Sequence, residues 1–205
     1  MQDIFTYTML LSIISFTVAS SFTPGPNNIM LLSSGLTFGY KRTLGHIFGI
    51  VIGFPLMVIA VGFGVGAIFE RYPLIYSILK VAGILYLLWM AWHIAKSKGD
   101  ISIAKEKNNK PFTFIQISLF QWVNPKAWIM AVTATTSFTT AGDYFFMQVL
   151  IIALTYSLVC LASSHMWVLG GVFLQKFISN ESRVRIFNIS MALLLVLSIV
   201  PILFE

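Results

Sequence analysis

Apolar residues dominate six stretches, 4–22, 44–69, 74–95, 111–139, 145–174 and 184–204, and charged residues gather in the short gaps between them. About 20 helical residues cross a hydrocarbon core, so each stretch is long enough to span a bilayer. The pattern predicts an all-α integral membrane protein with six transmembrane helices. Two of the stretches are interrupted. The first continues past Phe22-Thr23-Pro24-Gly25-Pro26-Asn27-Asn28, and the fourth contains Trp122-Val123-Asn124-Pro125-Lys126. Proline lacks a backbone donor and clashes with the preceding turn. The prediction is a helix over 4–22, a break at 23–26 and a second helix over 26–40, oblique or re-entrant. The fourth segment is expected to break at Asn124-Pro125. Pro26 and Pro125 then open their helices, where proline is well tolerated. Broken backbone in a membrane is stable only where protein or a polar cavity covers it, and paired broken helices point to a transporter's binding site.

Composition agrees with this class. Hydrophobic residues make up 58% of the 205-residue chain and charged residues 10%, against roughly 25% charged in soluble domains. Mean hydropathy is +0.87. One transmembrane domain over 1–205 is expected, with no soluble module, no cofactor and no nucleic-acid partner, despite a pI near 9.6. The basic residues instead alternate between loops. Lys41 and Arg42, then Lys96, Lys98, Lys105, Lys107 and Lys110, then Lys176, Arg183 and Arg185 fall on one side. Asp3, the Glu70/Arg71 pair, Asp143 and Glu205 fall on the other. Positive charge stays inside, so both termini are predicted outside the cytoplasm. A signal-peptide reading of the first segment fits poorly, because its only early charge is Asp3.

The stretch 96–110 reads as a solvated linker between two halves, about 1–95 and 111–205. At an offset of about 100 residues, Phe22 falls on Trp122, Ile29 on Ile129, Met30 on Met130, Ser33 on Thr133 and Phe38 on Phe138. Three crossings on each side of a cytoplasmic linker give two inverted three-helix repeats.

The breaks carry the candidate chemistry. A helix N-terminus offers free N–H groups and partial positive charge. Asn27, Asn28 and Asn124 add amides, and Lys126 adds a cation, a set that suits a carboxylate or a zwitterionic amino acid. The plainer reading makes the asparagines helix caps. A lysine far from either end of an apolar segment defaults to function, with snorkelling as its alternative. Ser33, Ser34, Thr37, Gln121, Thr133, Thr135, Thr136, Ser163, Ser164 and His165 are further polar positions on the same or neighbouring segments. Gly45, Gly49 and Gly53 recur every four residues, a spacing that lets helices pack closely. Gly62, Gly64 and Gly66, with Pro55, loosen the far half of that helix.

No carboxylate lies well inside a crossing. Hard cations need clustered oxygen anions, so no metal site is expected. Coupled protons would fall to Lys126, His46, His93 or His165, with His165 the most interior histidine by position. Cys160 is the single cysteine, which excludes a redox pair, and no catalytic cluster marks an enzyme. A passive channel or a membrane interaction protein stays open on residues alone.

The run Thr23-Pro24-Gly25-Pro26-Asn27-Asn28, the later Gly39 with Lys41/Arg42, the Gly45/Gly49/Gly53 ladder and Val123-Asn124-Pro125-Lys126 together resemble the LysE/RhtB amino-acid exporter family over essentially the whole chain. The resemblance implies an exporter of amino acids in the bacterial inner membrane, driven by protons. Many members carry an aspartate directly after the last ladder glycine, where this chain has Phe54. In that replacement, and in its Pro-Gly-Pro-Asn-Asn-Ile run, the chain looks like the cysteine/O-acetylserine exporter branch. Small neutral substrates are therefore expected, and basic amino acids are disfavoured.

Overall fold

A computed structural model describes residues 6–65, 71–96, 110–177 and 181–197. Most of the expected linker, Asp3, Glu70 and both termini lie outside the described residues. Within them the chain is helical throughout. The elements are α1 (Tyr7–Phe22), α2 (Pro26–Phe38), α3 (Tyr40–Ala60), α4 (Pro73–Lys96), α5 (Phe114–Gln121), α6 (Pro125–Ser137), α7 (Phe145–Gln175) and α8 (Glu181–Leu197). By length and apolarity, two helical runs can cross a membrane by themselves, Tyr40–Gly64 and Phe145–Gln175; α1 and α2 form a third if counted as one span bent by 54°. At 1.5 Å per residue α7 is about 46 Å long, longer than the roughly 30 Å hydrocarbon core. Its outer face presents Leu150, Leu154 and Leu158, the surface a lipid-facing helix needs. This is a multi-pass membrane protein.

α7 is the central element and packs on α1, α2 and α3; α3 packs in turn on α5, and α4 on α8. Glycines set these approaches. A Cβ on Gly49 would lie 2.7 Å from Ile117 Cβ, and one on Gly53 would lie 2.7 Å from Ser118 Cα. Both face α5. Gly45 faces the same way at looser range, 3.6 Å from the Phe114 nitrogen. A second approach, unmarked by any regular spacing, joins α2 to α7. A Cβ on Gly35 would collide with the Val168 carbonyl, and one on Gly171 with the Leu32 carbonyl.

Two boundaries differ from expectation. α2 stops at Phe38 rather than 40, because Gly39 takes φ 76 and turns the chain at once into α3. Lys41 and Arg42 thus sit in the first turn of α3 instead of a loop, with Arg42 5.6 Å from the Phe38 ring. α3 also runs straight through Pro55. Pro55 frees the Val51 carbonyl one turn back, and Ser157 Oγ of α7 donates to it at 3.1 Å. The loosening falls later, in the π-helical turn Val61–Val65, where Gly64 has φ 96.

Candidate functional site

At the first break α1 ends with Thr23 in an extended conformation, and Pro24 and Pro26 supply no N–H. The carbonyls left over are capped by side chains. Thr23 Oγ1 donates to Ser20 O at 2.9 Å. Asn28 Nδ2 donates to Ser21 O and Thr23 O, each at 2.8 Å. Only the NH2 end of the amide can face two carbonyls, so the Asn28 Oδ1 acceptor points away from them. Ser163 Oγ of α7 donates to the same Ser21 O at 2.8 Å. Lys126 Nζ reaches across from α6 and donates to Thr23 O at 2.9 Å, Thr23 Oγ1 at 2.8 Å and Pro24 O at 3.3 Å. An ammonium has three donors, and all three meet the first break. Gly25 makes room for this lysine: a Cβ there would lie 2.8 Å from Lys126 Cδ.

The second break caps itself. Trp122, Val123 and Asn124 tighten the end of α5 with bonds three residues back, from Trp122 N to Leu119 O, Val123 N to Phe120 O and Asn124 N to Gln121 O. Asn124 then opens α6, its Oδ1 accepting from Lys126 N at 3.1 Å. The Trp122 carbonyl accepts from Trp128 Nε1 at 2.8 Å. A paired amide contact ties the breaks together: Asn27 Nδ2 donates to Gln121 Oε1 at 2.9 Å and Gln121 Nε2 to Asn27 Oδ1 at 3.3 Å.

Between the breaks, α3 and α7 lies a small cleft, about 40 Å³ in volume. Asn27, Asn28, Asn124, Lys126 and Gly25 line it, together with Ser20 and Ser21 of α1 and Ser163, Ser164 and Cys160 of α7. Ile50, Phe54, Ala127 and Met130 complete the wall. Pro24, Pro26 and Pro125 shape the backbone without being among the lining residues. No carboxylate lines the cleft. Its poles are backbone: α1 ends there with its carbonyls, while α2 and α6 begin there with N–H groups.

Of the other polar positions singled out from sequence, Ser163 and Ser164 reach the cleft. Ser33 and Thr37 hydrogen-bond Asn188 of α8, a fully buried partner absent from the sequence reading. Ser34 pairs with Thr43 at 2.9 Å. Thr135 and Thr136 return to carbonyls of their own helix. The histidines reverse the expected order. His46 is fully buried with neither ring nitrogen partnered, its ring 6.0 Å from Phe112. His165 is half-buried, bonded to Leu161 O at 2.7 Å and 5.7 Å from the Tyr40 ring. Position within a segment misjudged them because burial depends on which face a neighbour covers. Neither lines the cleft. Phe54 does, edge-on to Tyr156 at 4.9 Å.

The curated relatives include the "Cysteine/O-acetylserine efflux protein" of Escherichia coli K12 and of Shigella sonnei Ss046, each 29% identical over 204 residues, which is 97% of this chain and the whole of the relative. The protein of that name in Escherichia coli O1:K1 matches at the same identity and coverage. No solved structure matches. The profile of the LysE type translocator family matches residues 18–200. The chain is therefore a membrane transporter, not an enzyme, and belongs to the LysE type translocator family.

Proposed function

We propose that this protein exports small neutral amino acids of the cysteine and O-acetylserine kind from the bacterial cytoplasm, binding them in the cleft between its two broken helices. The observation that carries the reading is the convergence of both breaks on one polar cleft without a carboxylate. A substrate carboxylate is met by the N-termini of α2 and α6 and attracted by the Lys126 charge, whose hydrogen bonds stay with the first break, while an α-amino group is met by Asn28 Oδ1 and the partial negative charge at the end of α1. A basic side chain would find no anion there. The relatives' printed name supports the substrate class.

In this reading residues 1–205 form one transport domain of six crossings, with inverted repeats at about 1–95 and 111–205, a linker at 96–110 and both termini extracytoplasmic. Export is proton-coupled. Lys126 is the first candidate to carry the proton, because it lines the cleft and His46 and His165 do not.

Purified protein in liposomes, loaded with unlabelled amino acid, is the test. Counterflow of labelled serine or O-acetylserine against its gradient is expected, with lysine and arginine excluded. Uptake that only equilibrates would indicate a channel. Orientation has its own test in a Cys160→Ser background: an impermeant thiol reagent on intact cells should label Asp143→Cys and spare Ser97→Cys. Labelling of Ser97→Cys from outside would reverse the topology.

A further inference from the structure

Tyr156 is fully buried on α7, and its hydroxyl has no hydrogen-bond partner. An unpaired buried hydroxyl is costly, and phenylalanine would fill the same space without it. Its position is informative. Tyr156, Cys160, Ser163 and Ser164 share one face of α7 at helical spacing, and the last three line the cleft. The Tyr156 ring stands edge-on to Phe54, which lines the cleft from α3. Its hydroxyl lies toward Ser20, another lining residue, but beyond hydrogen-bonding geometry. Ser20 meanwhile directs its own hydroxyl to Phe16 O at 2.7 Å, which leaves the serine oxygen free to accept.

The distance to the charged end is also suitable. Ser20 lies about one turn of α1, roughly 5 Å, before Thr23, the residue Lys126 grips. A carboxylate near Lys126 would put a heteroatom on the substrate's side chain close to Ser20.

We infer that the Tyr156 hydroxyl, beneath the cleft wall at Ser20, receives the side-chain heteroatom of the bound substrate together with Ser20. It selects small amino acids bearing a hydroxyl, thiol or ester oxygen over their alkyl counterparts. This rests on the reading of the cleft as an amino-acid site. A site built to hydrogen-bond a side chain discriminates strongly against the analogue that lacks the polar atom.

Tyr156→Phe keeps the ring against Phe54 and removes the oxygen. Counterflow of serine, O-acetylserine and 2-aminobutyrate is measured in liposomes for both proteins, with melting temperature as a check on folding. The wild type should prefer serine and O-acetylserine to 2-aminobutyrate, and the variant should lose about tenfold of that preference. An unchanged preference would reduce Tyr156 to packing. So would an equal loss for all three substrates. A wild type that exchanges all three without preference overturns this inference but leaves the cleft an amino-acid site. A wild type that exchanges none overturns both.

Discussion

At the first break, carbonyls freed by proline are capped from far along the chain; at the second, the chain caps itself within a few residues. Ser21 O accepts from Asn28 and from Ser163, 142 residues away. Thr23 O accepts from Asn28 and from Lys126, 103 residues away. The second break is closed by tightened turns, the Asn124 cap and Trp128. The second is thus a local stop-and-restart of helix, and the first is a tertiary junction joining α1, α2, α6 and α7. A transporter must rearrange around its site. A junction held by side chains from other helices can exchange partners, whereas a locally capped turn moves as a unit.

The largest effect should come from Lys126. It lies on the self-capped side and serves the other, so its charge couples the two breaks. Lys126→Gln keeps polarity and removes the charge; uphill export should be abolished and exchange nearly so. Lys126→Arg keeps the charge but cannot give up its proton; it should retain partial exchange and lose gradient-driven export. Full uphill export by Lys126→Gln would make the lysine a structural staple only.

The next effect concerns redundancy. Ser21 O has two donors, so Asn28→Ala and Ser163→Ala each leave it one. Together they orphan a buried carbonyl, which costs about 1–3 kcal/mol. The double variant should therefore be less stable than the sum of the singles by about 1 kcal/mol or more. Thermal unfolding in detergent checks this, and strict additivity would argue against a shared junction. Asn28→Ala alone should still impair export, through its free acceptor.

The smallest effect is expected at the second break. Removing a cap costs about 1 kcal/mol, so Asn124→Ala should lower stability modestly. Asn124→Ser, which still caps, should restore stability. If it restores export as well, Asn124 acts by holding α6 in place. If export stays impaired, its amide touches substrate.

The sequence showed the breaks plainly because a proline acts on its own backbone and the preceding turn, and an apolar surround makes the interruption visible. The glycine ladder was legible for the same reason: regular spacing on one helix predicts a close approach without naming the partner. What occupies the facing side was not legible. Most of these helices are apolar all round, with no polar stripe to show which face turns inward. Cys160, Ser20 and Ser21 therefore gave no sign of lining the cleft, nor Tyr156 of lying beneath it. Gly35 and Gly171, which set the α2–α7 contact, belong to no repeat. Lys126 stood out by its cost, but its partners are the carbonyls of a break about a hundred residues earlier, which no local rule connects.

Cys160 offers the most direct test of the central claim that both breaks frame one substrate cleft. It is the single cysteine of the chain, and it lines the cleft beside Ser21, with the two side chains 3.8 Å apart. The rate of its modification by a small permeant thiol reagent should be measured in proteoliposomes, with and without amino acids, and with denatured protein as the upper limit. Exported amino acids should slow the reaction in proportion to their occupancy, with half-protection near the concentration that half-saturates counterflow. Lysine and arginine should not protect. Unchanged modification of Cys160 under saturating transported substrate would place the binding site elsewhere and contradict the account.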